Sequence, residues 1–235
     1  MKNKIKEKYL VVAAHPDDEV LGCGGTIKKL SLKGNKVYIL FLSNGVSSRR
    51  SPTLFEDIKL RKRSAISACK ILGTEKPFFE NVEDNEFDKK SLLTITKIVE
   101  KYISKIKPKV IITHSNTDLN LDHRITNKAV VTACRPQKSS FVKNLLFFEI
   151  LSSTEWNFSD QKNSNSQKNS FKPNYFENIT KTIDKKILAM KSYKAELRSW
   201  PHPRSIEGIK TLAKYRGMSS GLNFAEAFFQ AFKIN

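Results

Sequence analysis

At 235 residues and 39% hydrophobic content, the chain is long enough to bury one sizeable core, and residues 1–235 are expected to form a single domain. Cys23, Cys69 and Cys134 are far apart and form no CxxC, which excludes a disulfide framework and a cysteine zinc site; no apolar run reaches membrane-span length, and the basic start has no apolar segment after it, so a soluble cytoplasmic protein is expected. The net charge of +19 favours anionic partners, yet the lysines spread along the whole chain and no helix-turn-helix, zinc-finger or RNP-like motif accompanies them, so specific nucleic-acid binding is not expected.

Taken in chain order, residues 9–14 read as a buried strand. Residues 19–32 read as a helix with Val20, Leu21, Ile27 and Leu30 on its apolar positions. A second strand at 37–42, a polar loop at 43–52 and a helix at 54–72 closed by Gly73 follow. A short strand at 76–79 precedes a helix at 91–106, which Pro108 stops, and a strand at 110–113. A helix at 122–134 and a strand at 145–151 complete the catalytic core, placed at about 9–151. The Asn/Ser/Lys/Gln stretch at 157–170 buries nothing and reads as a mobile surface loop. The remainder, 171–235, is expected to be helical at 179–197 and 206–216 and to end in a short aromatic segment at 224–232. Alternating strands and helices predict an α/β fold: a Rossmann-like three-layer sandwich with a mostly parallel central sheet and a helical C-terminal extension.

The run Val11-Val12-Ala13-Ala14-His15-Pro16-Asp17-Asp18-Glu19 concentrates a histidine and three carboxylates where a strand meets a helix. Open α/β sheets place ligands at that edge. Helix capping accounts for one of these carboxylates, but not for the histidine. A second cluster, His114-Ser115-Asn116-Thr117-Asp118-Leu119-Asn120-Leu121-Asp122-His123, follows another predicted strand and can meet the first at the same edge. Two imidazoles and one carboxylate leave an open coordination position, the arrangement of catalytic zinc, although iron or cobalt also suits such a set. Asp118 is placed to orient a ligand imidazole, and Glu19 reads as structural. Gly22-Cys23-Gly24-Gly25 lacks the spacing of a phosphate loop and is better explained by close helix packing. Phe147, Phe148, Trp156, Phe224, Phe228 and Phe229 read as core or pocket wall.

These residues carry a resemblance. His15-Pro16-Asp17-Asp18-Glu19 followed by Leu21-Gly22-Cys23-Gly24-Gly25-Thr26, with Asp122-His123 near mid-chain, resembles the PIG-L/LmbE-like superfamily of zinc-dependent N-deacetylases. The tail pattern His202-Pro203-Arg204-Ser205 with Ala225-Glu226-Ala227-Phe228 is similar to a bacterial branch associated with sugar and glycan modification. The resemblance implies that His15, Asp18 and His123 ligate Zn2+, that Asp17 is the general base, and that Asp122 orients the catalytic machinery. Arg61 is implied to shape the pocket and to meet an anionic substrate group. The implied reaction is hydrolysis of the N-acetyl group of an acetamido sugar, including one on a phosphorylated or nucleotide-linked carrier, and a homo-oligomer is compatible with it. Many relatives have a histidine where this chain has Asn120, and an amide donates a hydrogen bond but cannot shuttle a proton. Leaving-group protonation then passes to Asp17, or to His114 or His202, which are also candidates for contact with substrate. Three alternatives follow from the same residues: a relative that binds metal or carbohydrate without turnover, an amidase of another N-acyl conjugate, and, from the charge alone, a nucleic-acid-binding protein.

Overall fold

The β-branched run Lys8–Ala13 (β1) pairs in parallel with Lys36–Ser43 (β2) on one side and with Val110–His114 (β4) on the other. The computed structural model describes residues 6–48, 52–138, 140–156 and 170–235. The basic start at 1–5 and all but the last residue of the polar stretch expected at 157–170 lie outside the described residues. Those described form one seven-stranded sheet in which Phe78–Val82 (β3) lies beyond β2, and Asn144–Phe148 (β5) beyond β4. Ala225–Lys233 (β7) and Tyr175–Asn178 (β6) close the far edge antiparallel, giving the order β3-β2-β1-β4-β5-β7-β6.

Side-chain alternation along β1 sorts the core into two layers. Val11 and Ala13 face one cluster with Asp18–Leu32 (α1), Leu54–Leu72 (α2), Ile183–Met190 (α5) and Ile206–Met218 (α6). Leu10 and Val12 face the other, with Leu92–Ile106 (α3) and Leu121–Ala133 (α4). This is the expected three-layer α/β sandwich with a mostly parallel sheet. The strand order reverses between β1 and β4, and at such a switch point the C-terminal ends of two neighbouring strands leave a crevice.

Two expectations are corrected. The C-terminal part is not only helical: it adds two strands, because β5 would otherwise leave its outer ladder unpaired, and the aromatic segment supplies that partner as β7. The helix expected at 179–197 is confined to α5 and a single 3-10 turn, Lys194–Glu196. Of the aromatic residues assigned to core or wall, Phe148 and Phe228 are fully buried, whereas Trp156 and Phe229 reach the surface. The glycine run in α1 does serve packing: Gly22 lies against Phe148 and Gly25 against Ile179. The helix breaks at Cys23, where φ is −149° and ψ is 24°. Among the described residues, no helix is long and apolar enough to cross a membrane.

Candidate active site

β1 delivers His15, and α1 starts three residues later. Between them Asp17 adopts φ 117°, in the left-handed region that a non-glycine residue enters only when its surroundings enforce it. Those surroundings are visible: the Asp17 N–H donates to Glu19 Oε2 at 3.0 Å, and the Tyr193 hydroxyl donates to Glu19 Oε1 at 2.6 Å. Glu19 is fully buried, and burial pushes its carboxyl up to about 8 against the pull of these two donors. It supports the turn, in keeping with its expected structural role.

Asp18 is the hub of the cluster. Its Oδ2 accepts the His15 N–H at 2.8 Å and lies 3.5 Å from His15 Nδ1 and 3.5 Å from His123 Nε2. Each of those imidazoles turns its other nitrogen to a second carboxylate: His15 Nε2 to Asp122 at 3.0 Å, and His123 Nδ1 to Asp118 at 3.2 Å. Asp118 in turn accepts from Ser153 Oγ and from Thr154 Oγ1. Burial disfavours charge on every member of the cluster. It is outweighed at His15, where Asp122, Asp18 and Asp84 hold the ring pKa well above the ordinary range, and at Asp18, where His123 and the other imidazoles hold the carboxyl well below it.

Asp122 ties a loop to this centre. Its Oδ2 accepts from the Asn85 N–H at 2.7 Å and its Oδ1 from the Phe87 N–H at 3.2 Å. Asp84, on the same loop, lies 3.2 Å from His15 Nε2, and the pull of His15 carries its carboxyl down to about 2 despite burial. Asn120 is the N-cap of α4: its Oδ1 accepts the N–H groups of Asp122 and His123 at 2.8 and 3.3 Å.

Three expected substrate contacts are placed differently from one another. His114 has no exposed surface, its Nε2 accepts the Ala14 N–H at 2.9 Å, and its ring stacks on His123, so it backs the site instead of reaching substrate. Burial and the neighbouring His123 bring its pKa down to about 4, so it is neutral near pH 7. Arg61 is buried and engaged: Nη2 lies 3.2 Å from Asp17 Oδ2, and Nη1 pairs with Glu196. Both terminal nitrogens are therefore committed to carboxylates of this chain, while the buried Nε has no hydrogen-bond partner. A cavity of about 320 Å3 lies beside Arg61 and Glu196, walled by Val46, Leu60 and Tyr193. His202 is partly exposed, accepts the Arg204 N–H at 3.0 Å through Nδ1, and meets the edge of Trp156 with ring centroids 5.7 Å apart.

Sequence reasoning missed Asp84 and Glu196, and gave Arg204 no role. Asp84 was hidden by register: with β3 expected at 76–79 it lay well past the strand, but the observed β3 runs to Val82 and brings it to the sheet edge. Pro77 lacks an N–H for the ladder, and pairing with β2 starts only at Phe78 opposite Leu40. Glu196 and Arg204 come from the tail, more than 170 residues from Asp17, with no periodic signal to place them.

His15, Asp18 and His123 each bring a ligand atom within 4.8 Å of the other two, and so do His15, Asp84 and Asp122. The first set fits a metal better. Buried Asp18 Oδ1 has no hydrogen-bond partner, whereas both oxygens of Asp122 accept backbone N–H groups and Asp84 is taken up by Ser48. A divalent cation satisfies that orphaned oxygen, and carboxylates such as those behind His15 and His123 are the usual supports of metal-ligating histidines.

Known proteins resemble this chain in sequence and in fold. The chain is 26% identical over 239 residues to diacetylchitobiose deacetylase of Thermococcus kodakarensis, covering 95% of this chain and 82% of that protein. It is 33% identical over 101 residues to a probable N-acetylglucosaminyl-phosphatidylinositol de-N-acetylase of Dictyostelium discoideum; the match spans 42% of this chain and only 36% of that relative's length. Among solved structures, N,N'-diacetylchitobiose deacetylase from Pyrococcus horikoshii superposes with a TM-score of 0.75 at 21% identity, over 96% of this chain and 84% of that one. The 4-carboxy-2-hydroxymuconate hydratase GalB from Pseudomonas putida superposes with a TM-score of 0.71 at 20% identity, over 97% and 98%, so the fold by itself does not fix the reaction. The model of the PIG-L family, described as GlcNAc-PI de-N-acetylase, matches residues 10–134, the segment that contains His15, Asp17, Asp18 and His123, and the chain belongs to that family.

Proposed function

We propose that the protein is a metal-dependent hydrolase that removes the N-acetyl group from an acetamido sugar or a glycoconjugate precursor. The observation that carries this reading is the arrangement around Asp18: two carboxylate-backed imidazoles converge on one of its oxygens while the other has no partner. His15, Asp18 and His123 would hold the cation, with zinc favoured and iron(II) also compatible with the donor set. When bound, such a cation supplies Lewis acidity, polarising the amide carbonyl and making water a stronger nucleophile.

The chain's own residues supply the rest. Asp17 accepts the proton of the attacking water and returns it to the leaving amine. Burial raises its carboxyl pKa while Arg61 and Arg204 pull it back, a balance suited to a group that must both take and give a proton. Asn120 spends its Oδ1 on the α4 cap, which leaves Nδ2 as the donor for the oxyanion of the tetrahedral intermediate. His114 takes no part in proton transfer, being buried and neutral. His202 and Trp156 form a rim that would meet the sugar, and the positive net charge favours a phosphorylated or nucleotide-linked carrier.

The test measures metal content and acetate release from N-acetylglucosamine, N,N'-diacetylchitobiose and nucleotide-linked acetamido sugars, with and without a chelator. Wild-type protein should lose activity to the chelator and regain it with zinc. Asp17→Asn should keep the metal and lose about three orders of magnitude in kcat, the middle of the range for a general base. Metal-loaded wild type that releases no acetate from any of these sugars would leave a binding protein as the better account.

A further inference from the structure

Arg204 lies in the segment between the 3-10 turn at 194–196 and α6, and its guanidinium reaches back to the first cluster. Nη1 donates to Asp17 Oδ2 at 3.2 Å, the same oxygen that Arg61 Nη2 meets at 3.2 Å from the opposite element. Glu196 pairs with Arg61 and lies 3.6 Å from Arg204 Nη1, closing a four-membered ring of alternating charge around Asp17. Arg204 is itself held: its Nε donates to Ser152 Oγ at 2.5 Å and its backbone N–H to His202 Nδ1 at 3.0 Å. Ser152 belongs to the turn whose Ser153 and Thr154 grip Asp118 behind His123.

We propose that Arg204 is a positioning residue for Asp17, a role that rests on reading Asp17 as the general base. The torsion that turns an aspartate's carboxylate is broad and nearly two-fold, so an unrestrained Asp17 exchanges its oxygens freely. With the Arg204 hydrogen bond and the Arg61 ion pair both on Oδ2, the carboxylate has one fixed orientation. Among the described residues no hydrogen bond reaches Oδ1, which is thereby the oxygen presented to a proton. Arg61 cannot do this alone, because it approaches from one side and divides its guanidinium between Asp17 and Glu196. Arg204 is also the separable half of the clamp: its side chain is 22% exposed against 7% for Arg61, so water can replace it without leaving a dry hole under α2.

The experiment compares wild type with Arg204→Ala and Arg204→Lys, each checked for melting temperature and bound zinc. With zinc bound and the melt preserved, Arg204→Ala should lower kcat about 100-fold with KM within about threefold, the loss expected from an ångström-scale misplacement. Arg204→Lys should recover part of the loss, and added guanidinium should raise kcat of the alanine variant but not of wild type. A kcat within threefold of wild type, or a loss confined to KM, overturns the proposal; the latter marks a substrate contact. The second readout does not need turnover. Crystal structures of the zinc-loaded proteins should show the Asp17 carboxylate turned in Arg204→Ala and native-like in Arg204→Lys, and an Asp17 unmoved in the alanine variant overturns the clamp. If wild type releases no acetate, the deacetylase reading fails while this structural comparison still decides the clamp; if Arg204→Ala does not fold, Arg204→Lys and an Arg204→Gln variant carry both readouts.

Discussion

Lys186 and Glu226 form a buried ion pair, at 2.6 Å, inserted into the break in α1. Lys186 Nζ also donates to the Leu21 carbonyl at 2.8 Å, at the end of the first half-helix. Glu226 accepts the N–H groups of Gly25 and Thr26 at 2.9 and 2.7 Å, at the start of the second half. A cation therefore satisfies the carbonyl end and a carboxylate the amide end, each with the favourable sense of the helix dipole. The pair fastens α5 and β7 to the helix whose first residue is Asp18.

Removing both partners should cost less than the sum of removing each. Lys186→Met leaves a buried carboxylate and Glu226→Gln a buried ammonium, each expected to lose about 3–5 kcal/mol, whereas the double variant loses less than the sum because no charge is stranded. Urea unfolding of the four proteins checks this. Additive losses would mean that the pair is solvated and that the break in α1 has another support.

Asp118 should matter to metal binding although it lies outside the proposed ligand set. Its Oδ2 lies 3.2 Å from His123 Nδ1, where a carboxylate favours the tautomer that keeps its proton on Nδ1 and leaves Nε2 to bind. Asp118→Asn can present an amide N–H to that nitrogen and stabilise the wrong tautomer. Zinc affinity, measured by competition with a chelating dye, should fall about 10–100-fold with little change in fold. An unchanged affinity would remove His123 from the ligand set.

Local patterns made most of this molecule readable. Strand and helix alternation, Gly73 as a cap at φ 79°, and the two clusters after β1 and β4 are short-range signals, and they brought the two clusters to one switch point, while the family resemblance singled out His15, Asp18 and His123 within them. What escaped depends on long-range pairing. Asp84 needed the register of β3 on β2, Glu196 and Arg204 needed the path of the tail across the sheet edge, and β7 needed an open ladder on β5 to become a strand. The family resemblance pointed to Arg61 as a pocket residue, but its partners Asp17 and Glu196 bear on whether it faces substrate or carboxylate, and only the fold names them.

The three cysteines should be silent in the native protein. All are free and buried; burial raises the thiol pKa of Cys23 and Cys69 well up and pushes Cys134 up to about 12. At pH 8 the thiolate fraction of Cys134 is then about one in ten thousand. A thiol reagent should label none of them before unfolding and all three in denaturant, read by mass spectrometry. Fast native labelling of Cys134 would show that the end of α4 opens readily.

Gly22 links helix packing to the site, and replacing it should damage both. A Cβ there would sit 2.6 Å from Phe148 Cγ, closer than van der Waals contact allows. Phe148 cannot simply retreat: it is fully buried, and its ring meets His114 edge-on at 4.8 Å, which in turn stacks on His123 at 4.0 Å. In an exposed helix, glycine to alanine gains about 1 kcal/mol from propensity. Here overpacking of about 1–3 kcal/mol opposes that gain and outweighs it, because the neighbour is a rigid ring in a dense core and not the tip of a flexible chain. Gly22→Ala should therefore unfold at lower urea than wild type, and it should bind zinc more weakly, since the displaced Phe148 pushes His114 against the proposed ligand His123. Gly24→Ala is the control. Its nearest neighbours, Lys186 Cγ and Val20 Cγ1, stand at 3.3 Å, far enough to yield by a few tenths of an ångström. If the two variants show equal stability and zinc affinity, the glycine run is not a packing device, and the route from α1 through Phe148 to His123 is broken.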